Sequence, residues 1–277
     1  MSAASATKIT FLGSGSSSGV PGVGIGWGNC NPDNPKNARL RQSILVETSD
    51  RRFLVDTSPD LRQQLLRAGV DGVDAVLYTH AHADHMNGID DLRGVNKFIS
   101  RVLPVYANAE THQHIEQCFG YVLKPLPDDF NGVFVRPVLQ MNEFSPGDDL
   151  DVDGVCVGSF LQDHGYSKTV GFQFGSCVYS TDVKMLTEDV LTRLENADLD
   201  IWIIGVFRRE VHWTHAHIDL ALEWIERVKP KRAILTHLGP DLDFDDVMRL
   251  TPDHVLPAFD GMTIELTRPG GDILISD

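Results

Sequence analysis

Residues 75–85 of this chain read AVLYTHAHADH, an apolar strand followed at once by a run of metal-binding side chains. The potential ligands in the run are His80, His82, Asp84 and His85. Imidazole nitrogens suit Zn²⁺ and other transition ions, and three imidazoles beside one carboxylate predict a divalent metal site, with two ions favoured. Because loops at the ends of rigid strands often carry function, a polar surface turn is the less favoured interpretation.

The composition is that of an ordinary soluble globular protein. Of the 277 residues, 42% are hydrophobic and 23% are charged, so we expect one domain over residues 1–277. The 24 basic and 39 acidic residues give a formal net charge of −15, which argues against a broad electrostatic grip on polymeric nucleic acid. Bound cations would reverse the sign of the charge locally.

Cysteine usage and hydropathy predict where the protein resides. The four cysteines are spaced without a CxxC pair: Cys30, Cys118, Cys156 and Cys177. This spacing indicates neither a zinc knuckle nor a disulfide framework, and free thiols point to a reducing compartment. The first seven residues are small or polar, and no apolar run approaches the length of a membrane span, so a cytoplasmic location and no membrane partner are expected.

Apolar strands and amphipathic helices recur along most of the chain. Predicted strands cover residues 8–12, 41–47, 52–55, 75–79, 155–160, 171–174, 178–181, 201–207 and 233–236. Helical periodicity covers residues 110–119, 186–195 and 218–228, and it places Leu61, Leu65 and Leu66 on one face of a further helix. Between residues 98 and 150 the pattern does not set the order of the elements. Layered sheets with outer helices are the economical interpretation.

Further potential ligands follow the predicted strands. Asp56, Asp182 and His237 each come directly after a strand, and His164 lies in the turn before residue 171. A rigid sheet that delivers side chains from separate strands to a common edge fixes their directions, as a metal site requires. We therefore expect His164, Asp182 and His237 to join the first cluster.

This spaced series of residues resembles the signature of the metallo-β-lactamase fold superfamily. In chain order the signature is Asp56, His80, His82, Asp84, His85, His164, Asp182 and His237. The resemblance implies an α/β fold, a four-layer αββα sandwich of two facing mixed β-sheets with outer helices. It also implies two divalent metal ions per chain, Zn²⁺ or Mn²⁺, which activate a hydroxide between them as the nucleophile.

The resemblance also implies a role for each residue of the signature. The ligands divide into two sets that share one carboxylate: His80, His82 and His164 for one ion, Asp84, His85 and His237 for the other, and Asp182 as the bridge. Asp56 would stand behind the ligands, orienting an imidazole or the backbone without touching metal.

The segment 211–217, VHWTHAH, contains three further histidines just before a predicted helix. The adjoining segment His217-Ile218-Asp219-Leu220 resembles the place where phosphodiesterases of this superfamily, particularly the phosphoribosyl 1,2-cyclic phosphate phosphodiesterases of the carbon-phosphorus lyase pathway, carry a histidine that protonates the leaving oxygen. His217 is the candidate general acid and His215 its competitor. Asp84, as a ligand, and His217 are the candidate catalytic residues. Arg208 and His215 are candidate contacts for a substrate phosphate.

Two departures from related branches narrow the expected chemistry. The β-lactam-cleaving branch typically has a cysteine among its ligands, whereas no cysteine falls at a ligand position here. Members of the cyclic phosphodiesterase group can hold a structural zinc through several cysteines in the loop after the first strand and a late histidine. Here that loop has only Cys30, and Pro240 stands at the histidine position, so no structural zinc is expected.

The expected function is a dinuclear metal phosphodiesterase acting on a small nucleotide-like or cyclic ribose phosphate diester. Three alternatives stay open: a transfer-RNA 3′-processing endonuclease, a thioester or other carbonyl hydrolase of the same fold, and a non-catalytic nucleotide-binding sensor. The expected partner is the small substrate, and a homodimer is possible. The sequence leaves open the native metal, the physiological substrate and the oligomeric state.

Overall fold

Two eight-stranded β-sheets form the centre of the molecule in the computed structural model, which describes residues 8–266 and 270–277. The strands are β1 Lys8–Gly13, β2 Ser43–Glu47, β3 Arg52–Val55, β4 Ala75–Leu77, β5 Leu103–Asn108, β6 Leu139–Phe144, β7 Asp149–Val152, β8 Val155–Asp163, β9 Lys168–Phe174, β10 Cys177–Ser180, β11 Ile201–Arg208, β12 Ala216–His217, β13 Arg232–Thr236, β14 Val255–Pro257, β15 Thr263–Leu266 and β16 Ile273–Ser276. The helices are α1 Leu61–Ala68, α2 Ala83–Met86, α3 Leu92–Ile99, α4 Ala109–Phe119, α5 Glu188–Glu195, α6 Ile218–Val228 and α7 Phe244–Leu250. The small polar start predicted for residues 1–7 lies outside the described residues.

The first sheet has the strand order β16-β15-β1-β2-β3-β4-β5-β6. It is antiparallel around β1 and β2, and it becomes parallel from β3 to β6. In the parallel part Val55 is paired with Leu77, so β3 and β4 end side by side. This register places Asp56, which follows β3, beside the chain leading to His80.

The second sheet has the strand order β14-β13-β11-β10-β9-β8-β7, and the short strand β12 pairs with β11. Strands β10, β11, β13 and β14 are parallel, so their carboxyl ends share one edge. Strands β8 and β9 form an antiparallel hairpin whose connection reaches the same region. Asp182, His237 and His164 follow β10, β13 and β8 respectively.

The main core lies between the two sheets and draws side chains from both. Phe53 of β3 stacks on Phe174 of β9 with ring centroids 6.4 Å apart, and Phe11 and Ile203 belong to the same buried cluster. A second cluster packs α5 and α6 on the second sheet, and a third packs α1, α3 and α4 on the first. The predicted four-layer αββα sandwich is therefore confirmed.

The helices agree with the sequence patterns in most places. Helix α6 has the predicted bounds, and its stripe of apolar side chains is buried against the sheet. In α1, Leu61 and Leu65 are buried but Leu66 is 66% exposed, so the predicted apolar face was too wide. The single domain over residues 1–277 stays a prediction.

Helix length bears on the expected absence of a membrane partner. Within residues 8–266 and 270–277 the longest helices, α4 and α6, have 11 residues each. A bilayer requires about 20 apolar residues in a helix. None of the described helices meets that requirement.

Candidate metal centre

The structure brings the seven predicted ligands together where the two sheets meet. Within the described residues they form two groups that share one aspartate, and in each group the potential ligand atoms lie within 4.8 Å of one another. The first group is His80, His82, His164 and Asp182, and the second is Asp84, His85, His237 and Asp182. Each sheet contributes to both groups. The division is the same as the one implied by the family signature.

Asp182 lies between the two groups, and each of its oxygens faces one of them. Its Oδ1 is 3.3 Å from Nε2 of His85 and 3.2 Å from Nε2 of His237. Its Oδ2 is 3.8 Å from Nε2 of His80 and 3.7 Å from Nε2 of His164. A carboxylate in this position can bind one cation through each oxygen.

Several buried polar atoms in the centre make no hydrogen bond. These atoms show whether the residues could bind metal ions. Among the described side chains these atoms include Nε2 of His80, His85 and His237 and Oδ2 of Asp84. Buried polar atoms nearly always make a hydrogen bond, and each one that does not lowers the free energy of unfolding. Imidazole and carboxylate atoms that lie close together in each group and make no hydrogen bond are available to coordinate a cation, so this donor set fits divalent ions.

The charges of the centre lead to the same conclusion. Burial lowers the pKa of His80 well below its usual value and lowers that of His164 to about 4, which leaves neutral imidazoles available as ligands. At His85 burial also opposes protonation, but the carboxylates of Asp182, Asp84 and Asp56 outweigh it and raise the pKa. Three carboxylates around one buried ring are an excess of negative charge that bound cations would neutralise.

Asp56 stands behind the second group. Its Oδ2 lies 2.7 Å from Nδ1 of His85, and Thr79 donates to the carboxylate from its backbone nitrogen at 2.8 Å and from its hydroxyl at 2.7 Å. The opposite ring nitrogen of His85 faces Asp182 and Asp84. This is the geometry of a carboxylate that orients a metal-binding imidazole, the role predicted for Asp56.

Three residues of the centre have left-handed backbone conformations one or two positions after their strands end. The φ angles are 65° at Asp56, 48° at Asp182 and 58° at His237. Such conformations are uncommon for residues other than glycine and cluster at functional sites. Gly205 of β11 lies against one of them, because a Cβ at this position would be 2.8 Å from the backbone nitrogen of Asp182.

His215 reaches the centre from the loop between β11 and β12. Its Nε2 is 3.3 Å from Oδ2 of Asp182, and its ring stacks on His237 with centroids 5.0 Å apart. On the other side its Nδ1 lies 2.8 Å from the hydroxyl of Thr214 and 3.1 Å from Nδ1 of His212. His215 is half-buried, so a substrate could contact it.

His217 is not brought to the cluster. It is paired through its backbone with Arg208 and occupies the position before the first turn of α6. The structure records no ring contact, hydrogen bond or ion pair of its side chain with any described residue. The geometry therefore favours His215 over His217 as the residue that faces the metal ligands.

The side chain of Arg208, the last residue of β11, contacts the loop that follows this strand. Its Nη2 donates to the carbonyl oxygen of Val211 at 3.0 Å, which braces the segment that carries His215. The predicted contact with a substrate phosphate stays a prediction, and the observed bond gives the residue a positioning role.

The glycine-rich loop between β1 and β2, residues 14–42, is anchored by a buried network around Cys30. The thiol lies 3.4 Å from the carbonyl oxygens of Pro240 and Leu242 and 3.8 Å from Nη1 of Arg39. Arg39 also donates to Asn37 at 3.1 Å, and burial lowers the pKa of its guanidinium. The loop is thus fastened to the chain that follows His237.

Sequence reasoning missed several supporting residues. Thr181 donates its hydroxyl to Asp182 at 2.8 Å, as Thr79 does to Asp56. Gln42 is buried and accepts from the hydroxyl of Thr236 at 2.8 Å and from the backbone nitrogen of His237 at 3.2 Å. The threonine before three site residues was a visible signal, whereas nothing in the sequence singles out Gln42.

Comparisons with known proteins agree with this architecture. The sequence model of a beta-lactamase superfamily domain matches residues 51–238, more than half of the chain. The chain belongs to the beta-lactamase superfamily. It is accordingly a metal-dependent hydrolase of the metallo-β-lactamase fold, as predicted.

Three relatives of this superfamily member are informative. A solved structure described as a new diphosphatase from the PhnP family is 31% identical, with a TM-score of 0.84, and the alignment covers 94% of this chain and 97% of that one. A protein named octanoyltransferase from Porphyromonas gingivalis is 32% identical over 95% of this chain, but the chain spans only 52% of that relative. A ribonuclease Z from Mycobacterium sp. (strain KMS) is 29% identical over 75% of this chain and 81% of its own length.

Proposed function

We propose that this superfamily member hydrolyses a phosphodiester bond in a small nucleotide-like molecule or cyclic ribose phosphate. The observation that carries the proposal is His215, an imidazole outside both ligand groups whose Nε2 faces the shared carboxylate of Asp182 at 3.3 Å. Diester hydrolysis needs a proton donor for the leaving oxygen, and histidine is well suited to that role near neutral pH. The similarity to a PhnP-family diphosphatase over nearly the whole chain supports the same class of chemistry.

The two groups of side chains would each hold one divalent ion. His80, His82 and His164 form one set, Asp84, His85 and His237 form the other, and Asp182 is shared. When bound, Zn²⁺ or Mn²⁺ ions supply Lewis-acid stabilisation of the phosphate and lower the pKa of water.

The residues around the two ligand groups would position the ligands and protonate the leaving oxygen. Asp56 holds the His85 ring in a fixed orientation through Nδ1, and Thr79 in turn holds Asp56. Thr214 and His212 contact Nδ1 of His215, which leaves Nε2 directed at the centre. We infer that the proton passes from Nε2 of His215 to the departing oxygen.

A dependence on the leaving group tests the role of His215. His215→Ala and His217→Ala are compared on diesters whose leaving alcohols range from 4-nitrophenol to ribose. We expect His215→Ala to lose about 10²–10⁴-fold in kcat/KM for poor leaving groups and far less for 4-nitrophenolate, because a good leaving group needs no proton. His217→Ala is the matched control and should stay within a few-fold of the parent. An equal loss across all leaving groups would contradict the assignment.

A side-by-side assay tests the reaction class. The Zn²⁺- and Mn²⁺-loaded proteins are offered an aryl phosphodiester, an aryl phosphomonoester, a ribose cyclic phosphate, an acyl thioester and a β-lactam. We expect preference for the diesters. The thioester is the informative competitor, because a thioester or other carbonyl hydrolase of the same fold is one of the alternatives, and a higher kcat/KM on the thioester would refute the proposed function.

Cleavage of RNA is the second candidate, because several relatives are named ribonuclease Z. The net charge of −15 argues against it, since binding to RNA rests largely on contacts between basic side chains and phosphates. Salt-dependent cleavage of a transfer-RNA precursor at rates above those for small diesters would favour this candidate. Two divalent ions per chain, a cytoplasmic location and a homodimer likewise remain proposals.

A further inference from the structure

Two aromatic side chains are strongly exposed on loops that also carry residues of the candidate metal centre. Tyr166 is 89% exposed and lies two positions after His164. Trp213 is 77% exposed and lies two positions before His215. A tryptophan left this open to water forgoes the burial that its large apolar ring normally gains, and such side chains are enriched where ligands bind.

The two loops lie directly against each other. Nδ1 of His164 is 2.7 Å from the carbonyl oxygen of Thr214. Gly165 has a φ of +82°, and a Cβ at this position would be 2.8 Å from Cγ2 of Thr214 and 3.1 Å from the carbonyl oxygen of Trp213. Only glycine fits at position 165, because the two backbones approach so closely. The backbone of Gly165, just before Tyr166, therefore packs against the backbone of Trp213. The two aromatic residues therefore emerge from one part of the surface.

That part of the surface adjoins the open side of the centre. His82 is the exposed member of the first ligand group, while the other ligands of both groups are buried. The ring of His164 lies 5.1 Å from that of His82 and 4.7 Å from that of His215. A substrate that approaches past His82 therefore comes near His215, whose ring packs on that of the buried His164, and near the loops that carry Tyr166 and Trp213.

We propose that Tyr166 and Trp213 bind the nucleobase of the substrate, so that the diester cleaved here carries a base and is not a bare sugar phosphate. The inference rests on the proposed function and names the substrate class within it. Stacking of a base on an aromatic side chain stabilises binding and tolerates any base, because every base has a flat π-face. A base bound between Tyr166 and Trp213 would leave the phosphate of the same nucleotide within reach of His215.

The test compares two diesters with the same leaving group, thymidine 5′-(4-nitrophenyl) phosphate and ethyl 4-nitrophenyl phosphate. We expect the parent protein to prefer the thymidine diester. The ratio of the two kcat/KM values should fall about tenfold or more in Tyr166→Ala/Trp213→Ala, mainly through KM. Tyr166→Phe/Trp213→Phe should restore the ratio, because phenylalanine keeps an aromatic face.

Phe98→Ala is the matched control, since Phe98 is 65% exposed on α3, away from the metal ligands, and should leave the ratio unchanged. Binding of thymidine 5′-monophosphate, measured by isothermal titration calorimetry, gives a readout without turnover and should weaken in Trp213→Ala. If neither diester is hydrolysed, the proposed function fails while this binding experiment still tests the aromatic pair.

Other outcomes overturn the inference. An equal fall of kcat/KM for both diesters would mean that the aromatic residues only support the loops. A ratio unchanged in the double variant would mean that they do not contact the base. Loss of affinity for a single-stranded 12-nucleotide RNA without any change for the thymidine diester would assign the two rings to an RNA strand instead.

Discussion

Asp56 is a buried carboxylate that contacts His85, one of the candidate metal ligands. It accepts from Thr79 twice and faces Nδ1 of His85, so its charge both orients the ring and raises the basicity of the opposite nitrogen. Asp56→Asn keeps the shape of the side chain and removes the charge. We expect metal affinity to fall about 10–100-fold, measured by competition with a chromophoric chelator. Asp50→Asn, at an exposed aspartate, is the control, and equal affinities in the two variants would contradict the role.

Asp260 predicts a pH dependence of stability that does not involve the metal centre. Desolvation raises the pKa of this carboxyl to about 6, although donors from Leu40 and Ser14 act in the opposite direction. At about pH 2 the group is protonated in both the folded and the unfolded chain, because the pKa of an unfolded aspartate is about 3.9. As the pH rises from 4 to 6 the unfolded chain releases the proton first, so the folded state loses stability, by about 2–3 kcal/mol in all.

Asp260→Asn removes this titration and keeps an acceptor for Ser14. The free energy of unfolding is measured in urea between pH 4 and pH 7 for the parent and the variant. The difference, parent minus variant, should fall across this range, because other titrating groups cancel. A constant difference would show that Asp260 titrates normally.

At the level of single residues the sequence predicted which side chains gather in the centre, whereas it left open whether His215 or His217 is the general acid. The ligands could be found because four of them are nearly contiguous and the others end strands. His215 and His217 lie two positions apart in one segment, and pattern alone cannot tell which ring turns inward. The structure shows which ring faces the ligands, since Nε2 of His215 lies 3.3 Å from Oδ2 of Asp182, whereas the backbone of His217 pairs with Arg208.

Among the elements, α7 is connected to a neighbouring loop through Asp243, the residue before its first turn. Oδ1 of Asp243 caps the helix by accepting from the backbone nitrogens of Asp245 and Asp246. Its Oδ2 accepts from the backbone nitrogen of Asn31 at 2.9 Å and from the side-chain amide of Asn37 at 2.6 Å. One buried carboxylate therefore joins a helix to the glycine-rich loop.

Asp243→Ala should remove the cap and leave buried donors of the loop unpaired. We expect the free energy of unfolding to fall by about 2–3 kcal/mol, measured by urea denaturation. Asp241→Ala, at an exposed position two residues earlier, should cost less than about 0.5 kcal/mol. Similar losses in the two variants would mean that the carboxylate of Asp243 does not join these elements.

Element prediction failed where side-chain patterns are weak. Strand β6, LQMNEF, alternates poorly and has little β-branched character, and β5 contains Pro104, so neither had a clear strand signature. Both are held by parallel pairing with their neighbours in the first sheet. Tertiary context, which a local pattern does not contain, determines these strands.

On the scale of the whole molecule, the ligand groups join the two sheets. His80, Asp84 and His85 follow a strand of the first sheet, whereas His164 and His237 follow strands of the second. Metal ions bound to ligands from both sheets would stabilise the sandwich at this edge. The gain is about 4 kcal/mol per site when the free metal concentration is a thousandfold above Kd.

Removal of the ions should therefore lower the melting temperature by about 5–10 °C or more. The measurement is differential scanning calorimetry of the protein with and without a chelator. Asp182→Ala, which lacks the shared ligand, should respond much less to the same chelator. A melting temperature that chelation leaves unchanged would mean that no ion joins the sheets.

The exposure of His82 makes the two halves of the centre unequal. Every member of the second ligand group is buried, whereas the first group has one imidazole open to water. An incoming chelator can replace that imidazole first, so the ions should depart one after the other on separate timescales. Stopped-flow mixing with a coloured chelator would then record two phases, and a protein caught between them would retain a single ion. Such a half-loaded form would allow the contribution of each ion to be measured separately.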